Sequence, residues 1–466
     1  MNNEHYEQIY TKHIESLYGP RIDDDEFIYS HNANIYSINS RMDFTNIETY
    51  SIDPDGCEDA DDAFSIYMEK HKLWLAIHIA DPTEYIDIKS QLWQDIETRI
   101  ITKYPSNRKP IHMLPHQLME MSSLMENNYG NIKNAITILT EIDTETYLPI
   151  NNIKLLFTKI KVKHENSLSY IDASTSIHTK KPLEWGLKIS EQLQQKRSIK
   201  TIGVKLNTMN SSIIKYNNNI PYLYNNTSNE KKMKDMIGEF AIFANSFIGE
   251  YLKIYFNDYG IFRTCTAKDF IKNSEYINMN GDELLHEIII NGINADYVNK
   301  CLPHDLVGSD EYTHFTSPIR RASDCICHYL LKYIHLQPHL PTIEVPFSID
   351  KLQELSNKCF VSTKQNRKIY YKEHKFRLIQ VINTLLVNKT PVTISYFISC
   401  YMSNYLNIII NRINEFNVHL SYTLRIFDYN YNPDNNTKYE LDITHVKCPG
   451  KFDQGSIPEL DKLFIH

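Results

Sequence analysis

The stretch that decides the fold is Ser51-Ile-Asp-Pro-Asp-Gly-Cys-Glu-Asp-Ala-Asp-Asp-Ala63, an acidic loop with apolar sequence on both sides. Within ten residues it carries Asp53, Asp55, Glu58, Asp59, Asp61 and Asp62. Packing so many carboxylates beside a core costs several kilocalories per mole through repulsion and desolvation unless a cation neutralises them. Oxygen ligands select a hard ion such as Mg²⁺, Mn²⁺ or Ca²⁺. The loop therefore predicts a metal site, with a solvated acidic surface loop as the alternative.

The calcium interpretation of this loop fails against the EF-hand template. That template needs glycine at loop position six, whereas Gly56 is the fourth residue counted from Asp53, and no glutamate closes the loop at position twelve. A Mg²⁺ site of clustered aspartates is instead suited to phosphoryl chemistry, because the ion activates a water and stabilises charge on phosphate oxygens. Such a site needs cationic groups nearby to hold the phosphate backbone.

The sequence around the acidic loop predicts both strands and helices. Apolar alternation or continuous apolar runs predict strands at 49–52, 63–68, 73–79, 136–142 and 153–162. Helical apolar spacing predicts helices at 188–196, 231–256 and 350–381. Short β-rich runs predict a small C-terminal barrel or sheet from 392–398, 406–413 and 418–426, with a polar turn at 430–436.

Two polar segments are expected to carry little structure. Residues 1–48, which include an acidic run at 23–26, are expected to be a solvated extension. The asparagine-rich range 216–226 is expected to be an exposed loop.

The stretch 364–377 is basic, with six Lys or Arg residues against one acidic residue, Glu373. This stretch either guides nucleic acid or forms a solvated helix face.

Composition narrows the class of protein. The 466 residues are 42% apolar and 23% charged, which is typical of a folded soluble protein. The net charge of −8 argues against a generally basic nucleic-acid coat, but not against an enzyme that holds nucleic acid in one channel. Mean hydropathy is −0.42, and the eight cysteines lack CxxC pairing. We therefore expect a cytoplasmic protein with reduced thiols and no membrane association. No phosphate-binding or dinucleotide glycine loop and no G-x-S-x-G elbow occurs.

A cationic segment complements the acidic loop at Tyr312-Thr-His-Phe-Thr-Ser-Pro-Ile-Arg-Arg321. Ser317 is a good helix N-cap, and the proline after it is a good first helical residue, which places Arg320 and Arg321 in the first turn. Cations there oppose the helix dipole at a cost of about 0.3–1 kcal/mol, so the two arginines need an anion. The pattern predicts a phosphate clamp. The alternative is that the arginines pair with Asp324 or another carboxylate.

Three separated motifs, in the same order, closely resemble those of the ribonuclease II, or RNB-domain, exoribonucleases. They are Ile52-Asp53…Glu58-Asp59-Ala-Asp-Asp-Ala63, His78-Ile-Ala-Asp-Pro82, and the segment 312–321 with Asp324 and His328. Further landmarks are Met113-Leu-Pro115, Ser167-Leu-Ser-Tyr170 and Glu239-Phe…Ala244-Asn245, and the resemblance covers about residues 42–335.

This resemblance implies an α+β fold in which a mixed sheet and surrounding helices form an RNA channel. The RNB catalytic domain is expected at 49–385, after an N-terminal extension at 1–48. The β-rich range 386–466 occupies the usual position of an S1 barrel and is expected to be S1-like, OB-like or degenerate. Larger members carry two cold-shock barrels before the catalytic domain, which 48 residues cannot hold, so we expect a compact form lacking them.

The resemblance also implies an activity and a set of site residues. It implies a processive 3′→5′ exoribonuclease that uses Mg²⁺, with Mn²⁺ as a substitute, to hydrolyse single-stranded RNA to nucleoside 5′-monophosphates. Metal binding is assigned to Asp53, Asp59, Asp61 and Asp62, and catalysis to Asp61, Asp62 and Arg320. RNA binding is assigned to Arg320, Arg321, Tyr104, Tyr170, Glu239 and Ser317, with Tyr104 stacking on a terminal base. We expect a monomer without an organic cofactor.

The sequence leaves two alternative functions open. The first is a catalytically weak RNB-like protein that binds RNA or a partner. The second is a nuclease acting on DNA, which depends on whether Glu239 reads a ribose 2′-hydroxyl. His78 and His314 are expected to be packed residues and not metal ligands, and Cys325 and Cys327 to be core residues.

Overall fold

The computed structural model describes residues 3–20, 34–150, 152–209, 211–267, 274–402, 405–425, 438–447 and 459–463. Its larger part is built on a seven-stranded sheet and its smaller, C-terminal part on a five-stranded sheet. The predicted α+β class is confirmed. The acidic run at 23–26 and the turn at 430–436 lie outside the described residues.

The helices are α1 (Asn3–His13), α2 (Gln91–Arg99), α3 (His116–Ser122), α4 (Tyr170–Ser176), α5 (Lys181–Ser198), α6 (Ser228–Tyr255), α7 (Ser274–Ile277), α8 (Gly281–Ile290), α9 (Ala322–Leu336) and α10 (Ile349–Val387). The strands are β1 (Met42–Asp43), β2 (Thr49–Asp53), β3 (Asp62–Glu69), β4 (Lys72–Ala80), β5 (Lys133–Ile142), β6 (Lys154–Ile160), β7 (Val162–Ser169), β8 (Ile213–Asn217), β9 (Ile220–Tyr224), β10 (Tyr259–Thr264), β11 (Asp296–Lys300), β12 (Val392–Met402), β13 (Tyr405–Ile413), β14 (Phe416–Arg425), β15 (Tyr439–Lys447) and β16 (Glu459–Leu463).

The large sheet is mixed and has the strand order β1-β6-β5-β4-β3-β2-β7. β1 pairs with β6 and β2 with β7 in parallel, whereas the other neighbours are antiparallel. Because β2 ends at Asp53 and β3 begins at Asp62, the acidic loop joins two neighbouring strands at one end of the sheet. Asp53 also pairs with Ser169 of β7, which brings Tyr170 to the same end.

The main core lies between the large sheet and helices α5, α6 and α9. Phe240 of α6 meets Phe64 of β3 edge to face, with ring centroids 5.5 Å apart. α5 approaches α6 closely because Gly186 has no side chain, and a Cβ atom there would lie 2.6 Å from the Met236 sulfur. Cys325 and Cys327 are buried in α9, as predicted. His78 is also buried, bonded to hydroxyl groups on β3 and β5.

The expectation that the N-terminal segment is solvated is wrong for the part that the structure describes. Tyr6, Ile9 and Tyr10 of α1 are buried and form an apolar cluster with Ile14 and Phe376 of α10. β1 likewise joins the large sheet before residue 49. The apolar positions of α1 have helical spacing, but the polar residues between them concealed a short packed helix.

The range 216–226 is also not an exposed loop, since most of it forms the β8–β9 hairpin. The turn falls at Asn218 and Asn219, whose φ angles of 49° and 64° suit asparagine. Leu223 is buried in the core of the C-terminal sheet, and the Ser212 N–H donates to the Asn417 carbonyl at 2.8 Å. The asparagines thus mark a hairpin turn that docks onto the C-terminal part.

The C-terminal sheet is antiparallel, with the order β14-β13-β12-β15-β16. Its core is formed by isoleucines such as Ile394, Ile408 and Ile410, together with Leu378 and Ile382 of α10. A β-rich C-terminal part is thereby confirmed. None of the described helices has the length and apolar character needed to cross a membrane.

A buried ionic cluster joins α9 to the end of β4. Asp81 and Lys332 are fully buried, and Lys332 Nζ lies 3.0 Å from Asp81 Oδ2 and 2.9 Å from Glu84 Oε2. Arg41 Nη2 lies 2.5 Å from Asp81 and 2.6 Å from Glu84. Burial alone would raise the pKa of Asp81, but Lys332 and Arg41 hold it well below its usual range. Two cations and two anions therefore compensate one another inside the protein.

Replacing Lys332 by methionine should destabilise the fold strongly. The substitution leaves buried carboxylates without one of their cations, which costs about 3–5 kcal/mol. Lys72→Met provides a control at a salt bridge with Glu141, because the Lys72 side chain is 53% exposed and such pairs contribute about 0–1 kcal/mol. Urea denaturation followed by circular dichroism measures both. Similar midpoints for the two variants would contradict the importance of the buried cluster.

Candidate active site

The acidic loop forms the floor of an open cleft of about 1230 Å³, which we call the acidic cleft. Its walls come from residues 104 and 107–112, from Tyr170 at the start of α4, from one face of α6 and from residues 316, 317 and 320. The ends of β2, β3 and β7 position the floor, whereas α6 forms a wall. Parts of the chain that are far apart in sequence therefore meet at one end of the large sheet.

Three aspartates of the floor have pKa values raised toward or above neutrality. Burial, together with the charges of Asp62 and Asp61, raises the pKa of Asp53 to about 8. Burial raises the pKa of Asp61 to about 7 and that of Asp62 to about 6, although Arg320 opposes both increases. Asp53 Oδ2 is a buried atom that accepts no hydrogen bond from the described residues. Such an arrangement favours a bound cation.

Asp61 holds Arg320 in place at the edge of the floor. The Ile319 N–H donates to Asp61 Oδ1 at 2.8 Å, and Arg320 Nε donates to Asp61 Oδ2 at 2.9 Å. Arg320 Nη2 also donates to the Ser317 hydroxyl at 3.0 Å. The Arg320 guanidinium is thus fixed on two sides, while 46% of its side chain stays exposed.

The predicted helix start at Ser317 is wrong. α9 begins at Ala322 with Arg321 as its N-cap, so both arginines precede the first helical turn. The buried carboxylate of Asp324 accepts the Ser317 N–H at 2.8 Å and Arg321 Nη2 at 2.8 Å. Because Asp324 accepts this N–H, residues 318–320 form a turn before the helix and not its first helical turn. The alternative of pairing with Asp324 therefore holds for Arg321, which does not line the cleft.

Two tyrosines line the acidic cleft, as their predicted roles require. The hydroxyl of Tyr104 donates to Asp59 Oδ2 at 2.9 Å, and 44% of this residue is exposed. Burial is the main cause of raised pKa values for Tyr104 and Tyr170, with nearby aspartates adding to it. Both phenols therefore stay protonated at neutral pH and keep a hydrogen-bond donor beside the carboxylates.

Glu239 is placed differently from its predicted role at the terminal ribose. Its side chain is buried on α6 and accepts two hydrogen bonds from Arg197, one of them at 3.1 Å. Asn207 Nδ2 donates to the same carboxylate at 3.1 Å. Glu239 is absent from the residues lining the cleft, although its neighbour Gly238 is among them. The structure therefore does not bring Glu239 together with the other predicted site residues.

Lys234 is a cleft residue that the sequence analysis missed. It lines the cleft with Ile237, Gly238 and Ala241, at the helical spacing of one face of α6. Its Nζ lies 5.3 Å from the centre of the Tyr170 ring and donates to Asn226 Oδ1 at 2.6 Å. A Cβ atom at Gly238 would meet nothing within 4 Å, because the cleft lies in front of it. The small residues Gly238 and Ala241 at this helical spacing were the sequence feature that could have indicated a cleft-facing side of α6.

The carboxylates of the cleft fit Mg²⁺ as a partial set of ligands. In the described part of the chain, no three carboxylate, imidazole or thiolate groups converge into a complete metal cage. Mg²⁺ commonly keeps several waters and uses one or two carboxylates together with substrate phosphates. Asp53 has an oxygen that no described residue hydrogen-bonds, and Asp62 lines the cleft, whereas both oxygens of Asp61 already accept hydrogen bonds.

Comparison with known families decides the relationship of this chain. Residues 41–336, which are more than half of the chain, match the family described as RNB domain. The chain belongs to the RNB family. The match includes every residue that lines the acidic cleft, whereas α1 and α10 lie outside the matched range of the RNB domain.

Curated relatives of this RNB protein are named as exonucleases or ribonucleases, and the chain spans half or less of the length of two of them. It is 26% identical over 341 residues to the exosome complex exonuclease dis3 of Schizosaccharomyces pombe, covering 62% of this chain and 34% of that protein. It is 27% identical over 338 residues to exoribonuclease 2 of Buchnera aphidicola, covering 63% of this chain and 50% of that protein.

Solved structures share the RNB fold at low sequence identity. The Dss1 exoribonuclease of Candida glabrata, an active-site mutant, has a TM-score of 0.71 at 16% identity and covers 89% of this chain and 55% of its own. Mycoplasma genitalium RNase R, solved with ribose-methylated single-stranded RNA, has a TM-score of 0.69 at 17% identity and covers 95% and 76%. Yeast Ssd1, described as a pseudonuclease, has a TM-score of 0.61 at 16% identity, covering 79% and 49%.

Asp53→Asn should stabilise the metal-free RNB protein at neutral pH. The folded-state pKa of Asp53 is raised to about 8, above an unfolded value of about 3.9. Its carboxyl group therefore destabilises the fold increasingly as the pH rises between these values. We expect a gain of several kcal/mol at pH 7.5 in EDTA, and a gain of only about 1 kcal/mol near pH 4.5, where Asp53 is protonated in the folded protein. Thermal unfolding at the two pH values measures this difference, and destabilisation at pH 7.5 would contradict it.

Proposed function

We propose that this protein is a Mg²⁺-dependent exoribonuclease that degrades single-stranded RNA processively from the 3′ end and releases nucleoside 5′-monophosphates. The observation that carries this proposal is the acidic cleft, in which Asp53, Asp61 and Asp62 lie beside Arg320. The names of the curated relatives, which are exonucleases and exoribonucleases, support the same class of reaction. Mn²⁺ is expected to replace Mg²⁺, since both are hard ions that accept oxygen ligands.

Arg320 binds the phosphate at which RNA is cut. Asp61 and Ser317 hold Nε and Nη2 of its guanidinium, so the group is oriented before substrate arrives. Its exposed portion remains available for charge-assisted hydrogen bonds to phosphate oxygens. In this proposal Asp61 acts mainly by orienting Arg320, because both of its oxygens are already hydrogen-bonded.

Tyr104 and Tyr170 bind the bases at the 3′ end. Both line the acidic cleft, and stacking on an aromatic ring contributes about 1–3 kcal/mol for each base. Every base has a π face, so this contact is independent of sequence and suits an enzyme that advances one nucleotide at a time. Lys234, beside the Tyr170 ring, supplies a positive charge for the RNA backbone.

Asp53 and Asp62 hold the metal, with Asp59 beside them in the cleft. When bound, Mg²⁺ supplies an activated water and stabilises charge on the phosphate oxygens. Asp62 also lines the cleft beside Arg320, where its carboxylate is placed to accept a proton from the attacking water. The water oxygen bonds to phosphorus, and the bond from phosphorus to the preceding 3′ oxygen breaks. That oxygen takes a proton from solvent and becomes the new 3′-hydroxyl of the shortened RNA, while a nucleoside 5′-monophosphate leaves.

The second candidate function is RNA or partner binding without useful catalysis. It is favoured by the likeness of the fold to yeast Ssd1, described as a pseudonuclease. Against it, Asp53, Asp61 and Asp62 are all present although burial raises their pKa values and so destabilises their charged forms. A protein that only binds RNA gains nothing from carboxylates that repel phosphate.

Asp62→Asn should abolish RNA decay while the fold is kept. We expect its rate to fall at least about 10²-fold, since the amide cannot accept a proton and binds a cation weakly. The measurement follows 5′-labelled single-stranded RNA on a denaturing gel in Mg²⁺ or EDTA. Wild type should convert full-length RNA directly to a very short fragment in Mg²⁺ alone. Asp350→Asn, an exposed aspartate in the first turn of α10, is the matched control.

The same experiment separates the alternatives. Intact RNA that is retarded on a native gel by wild type would establish the binding protein and refute the enzyme. A DNA strand of the same sequence tests whether the enzyme requires ribose. Cleavage of the RNA and the DNA at equal rates would refute RNA specificity.

A further inference from the structure

The loop that carries Tyr104 is held largely by parts of the chain outside the RNB match, together with the β8–β9 hairpin inside it. We call residues 103–109 the Tyr104 loop. Lys103 Nζ donates to the Tyr18 carbonyl at 2.7 Å, and Arg108 Nη2 lies 3.0 Å from Glu7 Oε2. Asn107 Nδ2 donates to Asn219 Oδ1 at the tip of the β8–β9 hairpin, at 3.0 Å. The N-terminal segment and the hairpin therefore both contact this loop.

Glu373 of α10 lies at the centre of these contacts. Its side chain is buried, and its two oxygens accept hydrogen bonds from the hydroxyls of Tyr10 and Tyr18, the second at 2.5 Å. The backbone N–H of Ser106 donates to Glu373 Oε1 at 2.7 Å. One carboxylate thus ties the N-terminal segment to a backbone position two residues after Tyr104.

Arg377, one helical turn further along α10, completes the attachment. It is fully buried, and its Nε donates to the Ser106 hydroxyl at 2.9 Å. Its Nη1 lies 2.5 Å from Glu7 Oε1, and its guanidinium carbon is 3.9 Å from the centre of the Tyr10 ring. Ser106 is therefore bonded through both its backbone and its side chain. Of the basic stretch 364–377, at least Arg377 has an internal role.

These contacts end at a side chain inside the acidic cleft. The side chain of Tyr104 extends from the anchored loop into the cleft, where its hydroxyl donates to Asp59. A ring that is already fixed in its stacking position loses less conformational entropy when a base binds. Burying a carboxylate is costly unless several donors satisfy it, and here one of those donors belongs to the Tyr104 loop.

We propose that Glu373 is a positioning residue for the 3′-terminal nucleotide, acting through Ser106 to hold Tyr104 in place against the base. The N-terminal segment takes part through Tyr10 of α1 and Tyr18 after it, so a segment outside the RNB match contributes to substrate binding. This inference rests on the proposed function, in which Tyr104 stacks on the RNA 3′ end. It assigns to the flanking parts of the chain a role that is separate from the chemistry of the aspartates.

The test measures stacking and not activity. A short RNA with 2-aminopurine at its 3′ end is titrated with protein in EDTA, and fluorescence quenching reports stacking of the terminal base. We expect Glu373→Gln to weaken quenching and affinity about 5–20-fold, within the range expected for one lost stacked base. Glu354→Gln, at a half-exposed glutamate of the same helix, is the control and should leave both unchanged.

A double-mutant cycle distinguishes positioning from general support of the fold. If Glu373 acts through Tyr104, Glu373→Gln should add almost no further loss in a Tyr104→Ala background. Additive losses would overturn the proposal. Tyr10→Phe, which removes one hydroxyl from Glu373, provides a milder variant for the same cycle if Glu373→Gln unfolds. Thermal unfolding is recorded for each variant, and quenching is measured well below the transition.

The outcomes also separate this proposal from the proposed function. Wild-type protein that neither quenches the terminal base nor shortens RNA would refute the exoribonuclease and with it the stacking role of Tyr104. Wild-type quenching that is insensitive to both Glu373→Gln and Tyr10→Phe would overturn the positioning role alone.

Discussion

Burial of three neighbouring carboxylates at the junction of β2 and β3, which the donors of the described chain satisfy only in part, is the constraint on which the rest of the site depends. Asp53 Oδ2 is buried and accepts no hydrogen bond from the part of the chain that the structure describes, and burial raises the pKa values of Asp53, Asp61 and Asp62. Two ionic interactions stabilise the elements around these buried aspartates. Asp61 fixes Arg320, and the ionic cluster of Lys332 with Asp81 holds α9 against the end of β4. The metal and the phosphate group then complete the charge balance.

Much of the fold could be predicted because it is encoded by local patterns. The strands that flank the acidic loop and the long helices α6 and α10 follow from apolar periodicity, and the RNB family was recognisable from motifs that are contiguous in sequence. The chemistry of the loop was equally local, since six acidic residues in ten positions are unusual in any sequence. Tyr104 and Tyr170 do line the cleft with Asp53 and Arg320. Their roles in binding RNA remain predictions.

The errors concern contacts between residues that are distant in sequence or interactions that compete with local propensity. The helix start at Ser317 was misplaced because Asp324 captures the Ser317 N–H, which propensity cannot reveal. Glu239 was assigned to the ribose, but Arg197, 42 positions earlier, occupies its carboxylate. α1 was expected to be solvated because its partners, Phe376 and Glu373, lie more than 350 residues away. In each case, burial of a polar or aromatic group by a remote segment decided the outcome.

The most direct test of the central claim is an electron paramagnetic resonance titration of Mn²⁺ against the protein in the presence of uridine 5′-monophosphate. The buried carboxylates predict tight binding by wild type and by Asp350→Asn. They predict affinity at least about 10-fold weaker in Asp53→Asn, because one oxygen ligand and one charge are removed. If Asp53→Asn binds Mn²⁺ as tightly as wild type does, the acidic floor is not the metal site, and the proposed chemistry is contradicted.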